Sequence, residues 1–209
     1  MIVDLRLEAS HLGKTFNQRV IFREVSFAVG TGETLLVTGR NGSGKSTLLK
    51  ILAHVLTPSQ GLVRLLSEGR NPGGSLRHLI GFVSPYLNLY DEFSARENLQ
   101  FALSIRGMHN EGSAIDRLLE RVSLGGFKDT AVRVFSSGMR QRLKYAFALV
   151  HNPPLLLLDE PMANLDQEGR GFVQELMAER GKEGLLVVAT NDETEVERNH
   201  VRVHIDAFH

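Results

Sequence analysis

Hydrophobic and polar residues alternate in some stretches of the chain and form unbroken apolar runs in others. Val3, Leu5 and Leu7 alternate with polar neighbours, which predicts a half-buried strand, and segment 25–29 predicts a second one. We expect these opening strands to form an antiparallel layer. Four runs lack alternation and are typical of strands buried in a parallel sheet: 34–38, 80–83, 155–158 and 185–189. Segment 201–205 alternates again and predicts a last strand.

Helical patterns separate these strands. An apolar stripe over 45–56 predicts a helix that ends before Pro58. Three more helices are predicted in the middle of the chain: one opened by the capping-box pair Ser94 and Glu97, one opened by Ser113 and Asp116 and closed by Gly125 and Gly126, and one over 137–150. The alternation predicts an α/β fold, with an N-terminal antiparallel β layer and an inserted all-helical subdomain.

The amino-acid composition excludes several classes of function. The 209 residues suit a single domain, with a core lobe at about 1–85 and 153–209 and a helical lobe at about 86–152. Lys plus Arg number 24 and Asp plus Glu number 24, so the net charge of zero argues against a nucleic-acid partner. The absence of cysteine excludes disulfides, thiolate metal sites and cysteine nucleophiles. Apolar runs fall well short of the roughly 20 residues of a membrane span, so we expect none.

A phosphate-binding loop is the most specific motif. Residues 39–46, GRNGSGKS, match G-x-x-x-x-G-K-[ST] between a predicted buried strand and a predicted helix. Glycines let backbone N–H groups wrap a phosphate, and the helix N-terminus adds positive potential. We expect Lys45 to reach the β- and γ-phosphates and Ser46 to ligate Mg²⁺. The predicted nucleotide-binding residues of the loop are Gly39, Asn41, Gly42, Ser43, Gly44, Lys45, Ser46 and Thr47. The alternative is a glycine-rich turn without a ligand, which rarely matches every fixed position by chance.

Two carboxylates follow the predicted strand 155–158. Ligands of parallel α/β sheets bind at the carboxyl ends of strands, so we expect Asp159 to hold Mg²⁺. Glu160 is then placed to polarise an attacking water as the general base. A strand that ends in two solvated acids is the alternative, and the phosphate loop makes it the weaker one.

Three further segments resemble a known family. Residues 135–143, FSSGMRQRL, resemble the signature segment L-S-G-G-Q-x-Q-R of ABC ATPases, and 161–166, PMANLD, resemble their D-loop. Phe16 sits where the family places an aromatic ring that stacks on adenine. The order and spacing of these segments cover nearly the whole chain. The sequence therefore resembles an ABC transporter nucleotide-binding subunit, which has a P-loop NTPase fold with a RecA-like core.

The resemblance implies a mechanism and partners. Two nucleotide-binding subunits would meet head to tail as a homodimer or heterodimer, each ATP lying between one chain's phosphate loop and the other's signature segment. Ser136, Gly138 and Asp166 would contact this nucleotide. Ser136 precedes a predicted helix, whose N-terminus would form a second anion cradle. Hydrolysis of MgATP would drive a separate transmembrane permease subunit from the inner face of the cell membrane, in a cytoplasmic, peripheral location. The short chain resembles the ATPases of drug, polysaccharide or haem exporters, with the haem exporter of cytochrome c maturation as the specific hypothesis.

Two positions depart from the family. Pro85 stands where the family has Gln, and proline has no carboxamide oxygen for water or Mg²⁺. Asn191 stands where the family has the switch His. Asn can donate a hydrogen bond to a γ-phosphate but does not change its charge as His does. We expect Asn191 to hold the γ-phosphate through its amide and catalysis to persist at a lower rate, with Ser84 or Asn88 as substitutes for the missing Gln.

Other functions remain alternatives. The two departures favour a subunit that binds ATP and dimerises but hardly hydrolyses it, whereas Glu160 favours a working ATPase. A non-transport ABC protein of DNA repair or translation would carry coiled coils, zinc cysteines or two joined units, and a small-molecule kinase leaves 135–142 and 161–166 unexplained. An apolar-aromatic cluster either docks the transmembrane subunit or fills the interface between the lobes. Its members are Tyr86, Leu87, Leu89, Tyr90 and Phe93.

Overall fold

The structure is a computed structural model that describes residues 4–70, 76–108, 112–192, 194, 196 and 200–208. The chain forms two compact units. The core unit comprises residues 1–84, 154–161 and 177–209, and the helical unit comprises 85–153 and 162–176. Val3, the first residue of the predicted opening strand, lies outside the described residues.

An antiparallel sheet forms one layer of the core unit. Its strands β1 (Leu5–Phe16), β2 (Arg19–Gly30) and β4 (Gln60–Ser67) lie in the order β2-β1-β4. The turn between β1 and β2 contains only Asn17 and Gln18, both with positive φ, which suits the twist of a tight hairpin. Sequence analysis missed β4, because most of its side chains are at least partly exposed and only Leu65 is buried.

A five-stranded parallel sheet forms the second layer. The strands β5 (Ile80–Val83), β6 (Leu155–Asp159), β7 (Leu185–Ala189), β3 (Thr34–Thr38) and β8 (His200–His204) lie in the order β5-β6-β7-β3-β8. Every residue of β3, β6 and β7 is buried, which explains their unbroken apolar sequence. The predicted α/β fold with a separate antiparallel layer is therefore confirmed. The carboxyl ends of β3 and β6 lead directly into the phosphate loop and the acidic pair.

Helix α1 (Lys45–Leu52) follows the phosphate loop. Its apolar side chains Leu48, Leu49 and Leu52 are buried in the core. The prediction that this helix extends to residue 56 is wrong. The backbone of His54 is left-handed, with φ 55°, so the chain leaves the helical path well before Pro58.

The helical unit contains α2 (Ala95–Ser104), α3 (Gly112–Arg121), α4 (Ser137–Leu149) and the first part of α5 (Gln167–Glu183). The predicted capping box of α2 is confirmed, since Ser94 and Glu97 bond to each other's backbone N–H groups. Ser113 does not open α3, because the helix already includes Gly112. Its predicted partner Asp116 instead pairs with Arg96 and Lys128.

Helix α5 was also missed. Gly169, Gly171 and Gly181 interrupt its pattern, and glycine disfavours a helix. Gly169 has a packing reason, since a Cβ there would lie 2.7 Å from Leu165 Cδ2. Residues 162–176 group with the helical unit, whereas the expected lobes placed them in the core; Phe172 packs edge-on against Tyr145 of α4. Along the described part of the chain, no helix combines the length and apolar character that crossing a membrane requires.

Candidate functional site

The phosphate loop is shaped by glycines in backbone conformations that other residues rarely adopt. Gly39, Gly42 and Gly44 have φ of 147°, 80° and 109°. A Cβ on Gly44 would lie 2.6 Å from Ile21 Cγ2 of β2, so the loop packs tightly against the β1–β2 hairpin. Gly44 is also the N-cap of α1, and no side chain caps this helix among the described residues. The loop therefore leaves the positive end of α1 for an anion.

Lys45 is held at the centre of the loop. Its side chain is only 6% exposed. Its ammonium donates to the carbonyl oxygen of Gly39 at 2.9 Å and to the side-chain oxygen of Asn191, and it lies 3.3 Å from Glu160 Oε1. A buried ammonium needs such oxygen partners, because burial without them carries a large free-energy cost.

Asn191 lies at this same point, directly after Thr190 at the end of β7. Its amide oxygen accepts from Lys45, and its amide nitrogen donates to the side-chain oxygen of Asn41 in the phosphate loop. The side chain thus connects two loop residues that the sequence predicts to bind nucleotide. Its NH₂ group, which the hypothesis directs at a γ-phosphate, is bonded to Asn41 in this structure.

Ser46 and Asp159 form the candidate metal site. The Ser46 hydroxyl donates to Asp159 Oδ1 at 3.1 Å. Asp159 is 1% exposed, and its Oδ2 has no hydrogen-bond partner in the described structure. Burial raises the pKa of this carboxyl, which shows the cost of keeping an unpaired anion there. A cation would remove that cost.

The donor set fits Mg²⁺. No group of three or more His, Cys, Asp or Glu residues gathers in the described parts of the chain, so a cage built from side chains of these types is not formed there. Mg²⁺ is commonly bound by one or two protein oxygens together with nucleotide phosphates and water. Ser46 and Asp159 supply oxygens of that kind.

Glu160 follows Asp159 in a left-handed backbone conformation, with φ 50°. Its N–H donates to the carbonyl oxygen of Ala189 at 2.8 Å, and this bond fixes the unusual backbone. The side chain is 32% exposed, so its carboxylate reaches both Lys45 and solvent. A partly solvated carboxylate next to the loop can orient a water molecule.

The predicted signature residues lie in the helical unit. Ser136 is the N-cap of α4, and its hydroxyl accepts from the Met139 N–H at 3.2 Å. Gly138 lies in the first turn of that helix, where a Cβ would come within 2.5 Å of Asp166 Oδ2. A larger residue at 138 would therefore have to displace the Asp166 carboxylate.

Asp166 is already engaged within its own unit. Its Oδ1 accepts from the Gly169 N–H at 2.9 Å at the start of α5, and its Oδ2 lies 3.3 Å from Arg142. Arg142 also bonds to Glu168 and to the carbonyl oxygen of Val122. Arg142 therefore joins the signature helix to the segment that resembles a D-loop.

Phe16 ends β1 and is 44% exposed. The ammonium of Lys14 lies 4.6 Å from the centre of its ring and is held by the carbonyl oxygen of Thr57. An exposed ring held in this way can stack on a planar base. Thr47, the last predicted loop residue, is half-buried in the first turn of α1.

Pro85 and the aromatic cluster lie in the helical unit. Pro85 is exposed, and its carbonyl oxygen accepts from Lys144 at 3.0 Å. In the aromatic cluster, Tyr90 and Phe93 stack on each other and both contact Phe101, whereas Tyr86 is largely exposed.

Sequence reasoning missed two residues beside the phosphate loop. Asp206 accepts the Arg40 N–H at 2.9 Å, and His204 bonds to the Thr38 hydroxyl at 2.9 Å. Each contact spans 166 positions, so no local motif could reveal it. The predicted strand 201–205 was the available signal, since in the structure it becomes β8 and pairs parallel to β3, the strand before the loop.

Comparison with known proteins decides the family. Residues 22–163 match the ABC transporter family. The chain belongs to this family. The cytochrome c biogenesis ATP-binding export protein CcmA of Brucella abortus (strain 2308) is 37% identical over 190 residues, which cover 90% of this chain and 86% of that protein.

Two more ABC proteins extend the comparison. The Nod factor export ATP-binding protein I of Bradyrhizobium sp. (strain SNU001) is 34% identical over 190 residues, 87% of this chain and 61% of that protein. A dimeric post-hydrolysis ATP-binding cassette bound to ADP and Pi superposes with a TM-score of 0.82 at 25% identity, covering 95% and 93% of the two chains. This ABC subunit therefore binds ATP and is an ATPase.

Proposed function

We propose that this ABC subunit hydrolyses MgATP in a head-to-tail dimer and drives a separate transmembrane permease subunit of an exporter. The observation that carries the proposal is the convergence of Lys45, Ser46, Asp159 and Glu160 at the carboxyl ends of β3 and β6. The fold family and the names of the relatives support the coupling to transport.

The chemistry follows from what each side chain offers. The loop N–H groups and Lys45 bind the β- and γ-phosphates, and Ser46 with Asp159 would hold Mg²⁺. The bound ion would neutralise phosphate charge. Glu160 orients water towards the γ-phosphate, and Asn191 holds that phosphate through its amide. Phosphoryl transfer depends mainly on such positioning and charge stabilisation.

The transport assignment has a preferred type. Two relatives named above are export ATP-binding proteins, one for cytochrome c biogenesis and one for Nod factor. We place the chain with exporters of the cytochrome c maturation type, where haem is the expected cargo. The subunit would then act at the inner face of the cell membrane, bound to its permease.

Turnover of MgATP by the purified chain at high protein concentration tests the ATPase assignment. Glu160→Gln should lower turnover by about 10²- to 10⁴-fold and retain ATP binding, because it removes the base but keeps the shape. Lys45→Ala should lose binding itself. The wild type and Glu160→Gln should both be examined by light scattering with ATP, where the stalled variant should accumulate as a dimer.

Equal turnover by the wild type and Glu160→Gln would contradict the role of Glu160. ATP binding and dimerisation without turnover in the wild type would favour the weakly catalytic subunit instead.

Asn191→His tests the switch position. A titratable imidazole beside Lys45 and Asn41 should raise turnover about tenfold or more, since one positioning group is commonly worth 10²- to 10³-fold. Asn191→Ala is the matched control, because it removes the amide without adding an imidazole, and it should lower turnover. Steady-state rates at saturating MgATP measure both effects, and an unchanged rate in Asn191→His would show that this position does not limit hydrolysis.

A further inference from the structure

Two residues near the end of the described chain, His204 and Asp206, bond to the two residues that flank Gly39 at the start of the phosphate loop. Strand β8 runs parallel to β3, and its last residue, His204, pairs with Thr38, the last residue of β3. Two residues further on, Asp206 lies in the 3-10 turn Ile205–Phe208 that follows β8. The end of β8 and this turn thus place an imidazole and a carboxylate beside the residues on either side of Gly39.

The contacts at these two points are specific. The Thr38 hydroxyl lies 2.9 Å from His204 Nδ1, and the Arg40 N–H donates to Asp206 Oδ2 at 2.9 Å. His204 Nε2 lies 3.5 Å from the same Asp206 oxygen, and the guanidinium of Arg40 lies 3.6 Å from the other one. The Asp206 side chain is 15% exposed, whereas that of His204 is 53% exposed. Asp206 is therefore the more confined of the two.

Arg40 connects this contact to the catalytic lysine. Its carbonyl oxygen accepts the Ser43 N–H at 3.1 Å, which closes the first turn of the loop. The preceding carbonyl, that of Gly39, accepts from Lys45 at 2.9 Å. The peptide that donates to Asp206 is thus the same peptide whose carbonyl oxygen holds Lys45.

We propose that Asp206 is a positioning residue for phosphate binding, and that with His204 it clamps the Thr38–Arg40 segment so that the loop keeps the shape that receives a polyphosphate. The proposal rests on the proposed role of the loop. Asp206 acts through the Arg40 N–H and not by touching the ligand. The Arg40 N–H also holds the pKa of the Asp206 carboxyl below its ordinary value, so the acceptor stays ionised.

The direction in which polyphosphate affinity changes on removing Asp206 distinguishes a clamp from a residue that acts only through its negative charge. A carboxylate near a polyphosphate repels it, so a residue that acted only by charge would weaken binding, and its removal would improve affinity. A clamp predicts the opposite for Asp206→Ala, which removes the acceptor. Asp206→Asn keeps an oxygen acceptor of the same shape and removes the charge.

The experiment is calorimetric titration of the full chain with MgATP and with inorganic tripolyphosphate. Asp206→Ala should weaken both by about tenfold or more, as expected for losing a hydrogen bond to a charged group. Asp206→Asn should bind both within about threefold of the wild type, or more tightly. The conservative variant thus rescues the loss.

A matched control separates positioning from general stability. Glu33 accepts the Gly30 N–H at 2.7 Å in a turn of the same unit. Glu33→Ala should lower the thermal unfolding midpoint about as much as Asp206→Ala but leave tripolyphosphate affinity unchanged.

Wild-type or tighter binding by Asp206→Ala would overturn the clamp, as would equal behaviour of the Asn and Ala variants. Failure of the wild type itself to bind either ligand would instead overturn the proposed role of the loop.

Discussion

Helices α1 and α4 each begin within a segment that contains serine and glycine, yet their first turns are completed differently. Helix α1 starts from Gly44 without a side-chain cap in the described chain, whereas α4 starts from Ser136, whose hydroxyl accepts the Met139 N–H. An anion can therefore occupy the end of α1 without displacing a cap. At α4 the same hydroxyl must serve the helix and any ligand, so the two proposed anion sites are not equally prepared.

Gly44→Ala should distort the phosphate loop at the start of α1 and cause the largest loss of ATP binding. The left-handed backbone costs a non-glycine residue about 1–2 kcal/mol, and the added Cβ would lie 2.6 Å from Ile21. We expect loss of measurable ATP binding by calorimetry. Gly69→Ala is the control, since Gly69 also has positive φ but has open space around it. Normal affinity in Gly44→Ala would show that the loop tolerates a different shape.

Ser136→Ala should affect α4 more mildly. Loss of an N-cap hydroxyl costs about 0.5–2 kcal/mol of stability. Ser94→Ala removes the equivalent cap from α2 in the same unit and should cost a similar amount. Only Ser136→Ala should also lower turnover, if Ser136 contacts ATP across a dimer. Matched thermal unfolding midpoints and ATPase rates of the two variants test this, and equal rates would leave Ser136 as a cap alone.

Acidification should have the smallest effect and should act on the helical unit. Arg96, and then Lys128, hold the pKa of Asp116 below its ordinary 3.8. Because this folded-state pKa is depressed, the stabilisation is complete above 3.8 and is lost as the pH falls through the folded value. All three tyrosines of the chain lie in the helical unit, so tyrosine fluorescence reports its unfolding.

The thermal unfolding midpoint measured by tyrosine fluorescence should therefore decrease when the pH is lowered below about 4. Asp116→Asn should lack that part of the dependence. A parallel decline in wild type and variant would assign the acid sensitivity to other carboxylates.

The parts predicted from sequence share one property: local residues determine them. The glycines of 39–46 and the apolar run before Asp159 need no distant partner to be recognised. Strand β4 escaped prediction because it is partly exposed. Helix α5 escaped because glycine disfavours a helix, and two of its glycines lie against residues far away in the sequence: Gly169 against Arg142 and Gly181 against Thr34. Distance along the chain also hid Asp206, whose partner Arg40 lies 166 positions earlier.

The surroundings of Lys45 have a consequence for the affinity of any phosphate ligand. The Gly39 carbonyl, Asn191 and Glu160 all present oxygens to its ammonium. A phosphate that reaches Lys45 must compete with these protein oxygens. Its contact with Lys45 therefore contributes less net free energy than a contact with an unpaired ammonium would.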